Sequence, residues 1–227
     1  MSLRRHLTKH FLAVLCGLLA TAAIIAAEEK PVDWEPTIQA FEKQDRLRPP
    51  EPGGVLFLGS SSIRLWNTAQ AFPGVKSINR GFGGSQVADS VKFAERLVVP
   101  YKPRLIVFYA GDNDIAAGKS PAQVASDFQD FAKKIQKELA ETRIAFVSIK
   151  PSPSRWKQFE RQQQANRLVA EFIKSDRRLS YIDVVQPMLG DDGQPRAQLF
   201  KKDMLHLNDE GYELWAKIVM PVLQQPD

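Results

Sequence analysis

Thiols, imidazoles and long apolar runs are all scarce in this chain. Its one cysteine, Cys16, and two of its three histidines, His6 and His10, fall within the first 27 residues. That segment has a basic start (Arg4, Arg5, Lys9), an apolar run from Phe11, and Ala26-Ala27 ahead of Glu28-Glu29-Lys30. The order is that of a secretory signal peptide cleaved near Ala27; the competing reading is retention as a membrane anchor, for which the run sits at the short end of a spanning helix of about 20 residues. Residues 1–27 are therefore expected to be removed on export, to the periplasm or outside the cell. Ala13-Val14-Leu15 ahead of Cys16 does not resemble a lipobox, which sets aside a lipid anchor.

Removing that segment limits the chemistry left. A mature chain without cysteine has no disulfide, no zinc thiolate and no thiol nucleophile. His206 becomes its only histidine, so any imidazole chemistry must use that residue. Basic residues fall from 31 to 28 against 26 acidic ones, a net charge near +2 rather than +5. The basic balance thus belongs partly to the leader, and no nucleic-acid partner is expected. After cleavage no stable membrane insertion is expected either. Internal repeats, low-complexity tracts and long charge runs are missing, and the oligomeric state is left open.

What is present suits one domain of about 200 residues. Trp34 to Arg46 reads as a small helix with Ile38 and Phe41 on its apolar face, and Pro49-Pro50-Glu51-Pro52-Gly53-Gly54 breaks the chain after it. The organisation expected is a signal peptide over 1–27, a helical segment and linker over 28–52, and the main domain over 53–227. Apolar strands are expected at Val55–Leu58, Val75–Ile78, Leu105–Tyr109, Ile144–Ile149 and Tyr181–Val185. Helical stripes alternate with them: Val87, Val91, Ala94 and Val98, then Val124, Phe128, Phe131, Ile135 and Leu139. The second of these opens at Ser120-Pro121-Ala122-Gln123, a capping-box start with proline at the first helical position. A helix from Trp156 to Lys174 follows. A last one begins near Asn208 and carries Tyr212, Trp215, Val219 and Val222, with Pro221 at its fraying end. Alternation of this kind implies an α/β fold. It should be a three-layer α/β/α sandwich around a five-stranded, mostly parallel sheet.

In such a fold ligands bind outside the carboxyl ends of the strands, so the residues that follow each strand matter most. After the first come Gly59-Ser60-Ser61, where a glycine turn leads into a helix start with outward-facing N–H groups. That environment suits acyl transfer at a serine, and it equally suits a serine that only caps the helix. After the second comes a glycine-rich run, Asn79 to Ser85, and after the third Gly111-Asp112-Asn113-Asp114. Ahead of the last helix stands Asp203-Met204-Leu205-His206. With the two residues three apart in sequence, the Asp203 carboxylate can turn against one nitrogen of His206 and leave the other to deprotonate a serine.

Together, Gly59-Ser60-Ser61, Gly84, Gly111-Asp112-Asn113-Asp114 and Asp203-Met204-Leu205-His206 resemble the four blocks of the SGNH hydrolases, or GDSL-type esterases and lipases. Their look is nearest to the branch similar to platelet-activating-factor acetylhydrolase. The resemblance runs from about Val55 to Val222. It implies Ser61 as nucleophile, His206 as general base and Asp203 as its orienting partner. It also implies an oxyanion hole from the Ser61 and Gly84 backbone N–H groups and the Asn113 amide. The family's Gly-Asp-Ser is Gly-Ser-Ser here, with Ser60 in the aspartate's place, where its hydroxyl is expected to serve as a hydrogen-bonding cap.

Asp112 and Asp114 have no acidic cluster near them in sequence to complete an oxygen shell, so no metal and no cofactor is expected. They read instead as supports for the loop presenting Asn113. The loop Lys150 to Trp156 lies at the same edge as a candidate substrate wall, with Trp156 either lining the site or facing the core. The function implied is an exported serine esterase acting on carboxylic esters of small molecules, carbohydrates or lipids, with short acyl or acetyl groups favoured by the lack of a long apolar lid. The alternatives are an O-acyltransferase on carbohydrate with the same triad, and a weakly catalytic ligand-binding protein on the same scaffold.

Overall fold

The computed structural model describes residues 32–225. The signal-peptide segment 1–27 lies outside the described residues. In chain order the main elements are α1 (Glu35–Leu47), β1 (Val55–Gly59), α2 (Ser61–Arg64), α3 (Thr68–Ala71), β2 (Ser77–Gly81), α4 (Val87–Leu97) and β3 (Leu105–Tyr109). They continue with α5 (Asp112–Ala116), α6 (Pro121–Glu138), β4 (Arg143–Val147), α7 (Phe159–Ile173), β5 (Leu179–Ile182) and α8 (Asp209–Leu223).

Strands β1, β3 and β4 are apolar along nearly their whole length because both faces of the sheet are covered. Leu56, Leu58, Ile106, Phe108, Ile144 and Phe146 pack with residues of α1, α4, α6 and α7. Val55, Phe57, Leu105, Val107, Ala145 and Val147 pack on the opposite face with Trp215, Val219 and Leu223 of α8. This is a three-layer α/β/α sandwich, as the alternation of strands and helices predicts. The sheet order is β2-β1-β3-β4-β5, and all four pairings are parallel. The chain moves outward from β1 to β2 and then returns to β3 on the other side of β1. This reversal opens a crevice at the carboxyl ends of β1 and β3.

Both edge strands differ from the sequence expectation. β2 begins at Ser77 rather than Val75 and runs through Asn79, Arg80 and Gly81, which hydrophobicity had left in a loop. Their polarity is matched by partners: the Asn79 amide donates to the carbonyls of Ile63 (2.7 Å) and Trp66 (3.1 Å), and Arg80 donates to Tyr101 Oη (2.8 Å) and pairs with Asp45. β5 ends at Ile182; Val184 and Val185 are buried, yet their N–H groups go to Ser148 Oγ (3.0 Å) and Asp183 Oδ1 (2.8 Å) instead of a ladder.

The helix expected from Trp156 starts at Phe159, preceded by a 3-10 segment over Pro153–Gln158 with a non-helical residue at Arg155. Ser120 caps α6 by accepting from Gln123 N–H (3.1 Å), but the Gln123 side chain bonds Asp127 (2.7 Å), so the reciprocal half of a capping box is missing. α8 does not stop at Pro221 but carries it within its last turn, where the absent N–H leaves only one carbonyl without its helical donor.

α1 belongs to the core. Ile38 is fully buried, and Arg96 of α4 grips Glu42 (2.6 and 2.9 Å) and Glu35 (2.8 Å) to hold the helix against the sheet layer.

Candidate functional site

At the end of β1 the chain must turn within one residue. Gly59 has φ +140°, and a Cβ there would lie 1.9 Å from the Tyr109 carbonyl oxygen, so no other residue fits. Ser60 N–H donates to that same carbonyl (2.9 Å), fastening the turn to β3. Ser60 opens α2, its carbonyl accepting from the N–H groups of Ile63 and Arg64 (both 3.0 Å). Its hydroxyl makes no capping bond, contrary to the role expected for it. The short helix is held by backbone bonds and by Tyr212, whose hydroxyl donates to the Ser62 carbonyl (2.9 Å). Ser61 is its first residue, half-buried, with a backbone N–H that has no hydrogen-bond partner among the described residues.

The loop before α8 brings its side chains to Ser61. Asn208 caps α8, accepting from Gly211 N–H (3.0 Å), and Lys201 N–H donates to the His206 carbonyl (2.7 Å). Met204 takes φ +55° in the tight turn between them. Within that turn Asp203 Oδ1 accepts from the N–H groups of Leu205 and His206 (2.9 Å each), while Oδ2 lies 2.7 Å from His206 Nδ1. His206 Nε2 stands 3.0 Å from Ser61 Oγ. A carboxylate can only accept, so Nδ1 carries the proton and Nε2 offers its lone pair to the serine. The His206 ring holds the Asp203 carboxyl well below the usual carboxylate range; the two backbone N–H groups add to this, against the opposing effect of burial.

The opposite wall is stitched to the same turn. Phe82 N–H donates to the Gly59 carbonyl (2.9 Å), which positions the loop through Gly84. Gly84 has φ +91°, and among the described residues nothing accepts from its N–H. Asn113, in α5, donates through Nδ2 to the Ser85 carbonyl (3.0 Å), one residue along from Gly84. Asp114 receives the Val87 N–H at the start of α4 (3.2 Å to each oxygen) and pairs with Lys119 (3.1 Å). Asp112 accepts from Lys150 (3.3 Å), Arg155 (2.8 Å) and Gln162 (3.1 Å). Burial pushes its carboxyl up, but Lys150 and Arg155 outweigh that and the net shift is downward. Both aspartates therefore face protein cations and amides. Among the described residues no group of three or more His, Cys, Asp or Glu side chains is disposed to hold a metal ion.

His206 thus stands within hydrogen-bond reach of both Asp203 and Ser61, and Gly84 and Asn113 share one wall beside them. Trp156, read as either lining the site or facing the core, is half-buried. Its ring stacks on Phe159 at 4.3 Å, and its chain neighbours make the contacts to the site. Ser154 N–H donates to the Met204 carbonyl (3.0 Å), and Arg155 reaches Asn113 Oδ1 (3.1 Å). Sequence reasoning singled out neither Arg155 nor Trp34 for the site. The Trp34 ring lies 3.4 Å from where a Cβ on Gly84 would stand and meets Phe82 edge-on at 5.4 Å, so α1 supplies a wall beside Gly84. A tryptophan at the head of an amphipathic helix is an ordinary core signal, and the sequence assigns Trp34 at most to the apolar face of that helix.

An arrangement in which a base faces a hydroxyl beside free N–H donors can carry out acyl transfer. Residues 62–214 match the family of GDSL-like lipases and acylhydrolases. The chain belongs to that family. It is a GDSL-type carboxylic ester hydrolase. The matched stretch opens one residue after Ser61 and contains Gly84, Asn113, Asp203 and His206. No curated protein sequence matches the chain. Among solved structures, one from Streptococcus pneumonia, described as a candidate platelet activating factor protein, is 19% identical with a TM-score of 0.75, over 83% of this chain and 92% of its own. A candidate acylhydrolase from Bacteroides fragilis is 20% identical with a TM-score of 0.73, over 85% and 98%. A catalytic mutant of an acetylxylan esterase from Geobacillus stearothermophilus is 13% identical with a TM-score of 0.64, over 78% and 96%. At such identities the likeness is one of fold.

Proposed function

We propose that this GDSL-type hydrolase is an exported serine esterase that removes short acyl groups, acetyl above all, with Ser61 as nucleophile. The observation that carries the reading is the chain of contacts from Asp203 through His206 to Ser61 Oγ, 2.7 and 3.0 Å long. His206 Nε2 takes the proton as Oγ attacks the ester carbonyl carbon. The oxyanion that forms is met by the N–H groups of Ser61 and Gly84 and by the Asn113 amide. Collapse expels the alcohol, which takes the proton back from His206. Water, deprotonated by the same ring, then attacks the acyl-serine and releases the carboxylic acid.

Support for a short acyl group comes from the surface. Among the described residues the large exposed apolar side chains are Val32, Leu47, Leu168 and Met204, and only Met204 belongs to the loop carrying His206. A long chain would need an apolar trough. The same fold serves an acetylxylan esterase in Geobacillus stearothermophilus, which makes acetylated carbohydrate the first natural substrate to try.

A fluorophosphonate probe needs an activated hydroxyl, so native protein should give one adduct, mapped to Ser61. Ser61→Ala and His206→Ala should both abolish it. An adduct on Ser60 or Ser62, or undiminished labelling of the His206 variant, overturns this reading. Turnover of p-nitrophenyl esters should fall as the chain lengthens beyond a few carbons, and product analysis with added sugar acceptors would expose a transferase. Protein recovered from the periplasm or medium should begin near Glu28 on N-terminal sequencing; an intact Met1 on folded, membrane-bound protein removes the export assignment.

A further inference from the structure

The Asn113 amide is held from behind by a charged cluster that the proposed chemistry does not use directly. Arg155 donates to Asn113 Oδ1 through both terminal nitrogens, 3.1 Å each, and its Nη1 also meets Asp112 Oδ1 at 2.8 Å. On its other oxygen Asp112 receives Lys150 Nζ at 3.3 Å. Lys150 in turn donates to Tyr109 Oη at 3.2 Å. The side chains of Lys150 and Asp112 are 1% and 6% exposed, and that of Arg155 is 19% exposed. Burial keeps the Tyr109 phenol neutral by pushing its ionisation upward. One carboxylate therefore faces two cations, and the cluster carries one unit of positive charge in a region with little water.

That arrangement decides which way round the amide sits. A guanidinium has donors and no acceptor, so the atom facing Arg155 must be the Asn113 oxygen. Nδ2 then points the other way, with one proton on the Ser85 carbonyl and the second left for the site. Hydrogen bonds at the oxygen draw electron density from the amide and strengthen Nδ2–H as a donor. In a poorly hydrated interior, a fixed positive charge behind a developing oxyanion acts without reorganisation at the moment of reaction.

We propose that Arg155 is the positioning residue of this oxyanion hole, orienting and polarising the Asn113 amide from a base built by Lys150 and Asp112. This rests on the reading of Ser61 and Asn113 given above. Arg155 acts through Asn113, to which both of its terminal nitrogens donate, while Nη1 is also tied to Asp112.

The test is a double-mutant cycle measured with p-nitrophenyl acetate, on variants whose thermal midpoint and circular dichroism match the native protein. Asn113→Ala should lower kcat by about 100-fold or more, as for one lost oxyanion donor. Arg155→Met should lower kcat by roughly 10-fold to 100-fold with KM within about threefold, since what is lost is stabilisation of the transition state alone. In the Asn113→Ala background the same change should cost less than about threefold, because two residues acting through one contact are not additive. Arg155→Lys keeps the charge and a donor and should recover most of the loss; it also serves if Arg155→Met does not fold. An equal loss in both backgrounds, a rise in KM alone, or a folded Lys variant as impaired as Met overturns the proposal. The native protein separates the two layers of inference. No Ser61 adduct with fluorophosphonate defeats the esterase reading, whereas normal Ser61 labelling with an unimpaired Arg155→Met defeats only the role of Arg155.

Discussion

Asp203 and Asp112 each steady a side chain that the ester would meet, the first His206 and the second, through Arg155, Asn113. Their surroundings are opposite. The Asp203 side chain is 48% exposed and its contacts lie within one four-residue turn, to His206 and to the N–H groups of Leu205 and His206. The Asp112 side chain is 6% exposed and its partners come from the loop after β4 and from α7, 38 to 50 residues away. An exposed ion pair contributes little to folding, whereas a buried one cannot lose a partner without leaving a charge stranded. One wall of the site is therefore built locally and sits lightly on the fold. The other is part of the interior.

The comparison breaks most clearly if the two aspartates are removed in turn. Asp203→Ala should lower kcat by about 10⁴-fold, as when a base loses its orienting carboxylate, with a loss of about 1 kcal/mol or less in stability. Asp112→Asn keeps the shape and removes the charge, leaving Lys150 and Arg155 without their counter-ion. It should cost about 3–5 kcal/mol in stability, read as a lower denaturant midpoint with an unchanged slope. Its folded fraction should keep far more activity than Asp203→Ala. Should Asp203→Ala unfold as readily as Asp112→Asn, or Asp112→Asn match it in lost turnover while fully folded, the division into a local and an interior wall is wrong.

The same division explains what could be read from the sequence. Asp203 and His206 stand three apart, so short-range spacing was enough to pair them, whereas Gly59-Ser60-Ser61 alone suited a helix cap and Ser61 was singled out by the family resemblance. The central strands were legible because burial on both faces leaves them unbroken. β2 and β5 were displaced by two residues each because edge strands tolerate polar residues, and Asn79 and Arg80 find their partners only after folding. In the loop Lys150 to Trp156 it is Ser154 and Arg155 that contact Met204 and Asn113. Arg155 owes its position to the pairing of β3 with β4, which brings the residues after each strand together, and no spacing in the sequence encodes that.

Ser60 stands where the two walls meet and supplies the smallest effect expected. By the resemblance to the family's Gly-Asp-Ser it stands in the aspartate's place; it is 2% exposed and is followed directly by Ser61. Its backbone is committed on both sides, N–H to Tyr109 and carbonyl to Ile63 and Arg64, so the turn does not depend on its side chain. A serine that caps a helix is worth about 1 kcal/mol, but that contribution requires a bond from hydroxyl to backbone N–H, and here none is made. Ser60→Ala should therefore shift stability by less than about 1 kcal/mol, within the range of changes that touch no cap, network or charge. On the same argument kcat/KM for p-nitrophenyl acetate should stay within about threefold of the native value, a change of under roughly 0.7 kcal/mol in transition-state stabilisation. Labelling at Ser61 should be unchanged. A loss of tenfold or more with Ser61 still labelled would mean that the Ser60 hydroxyl enters the site during the reaction. The replacement of aspartate by serine would then be a change of chemistry, and the turn could no longer be treated as scaffold shared by the two walls.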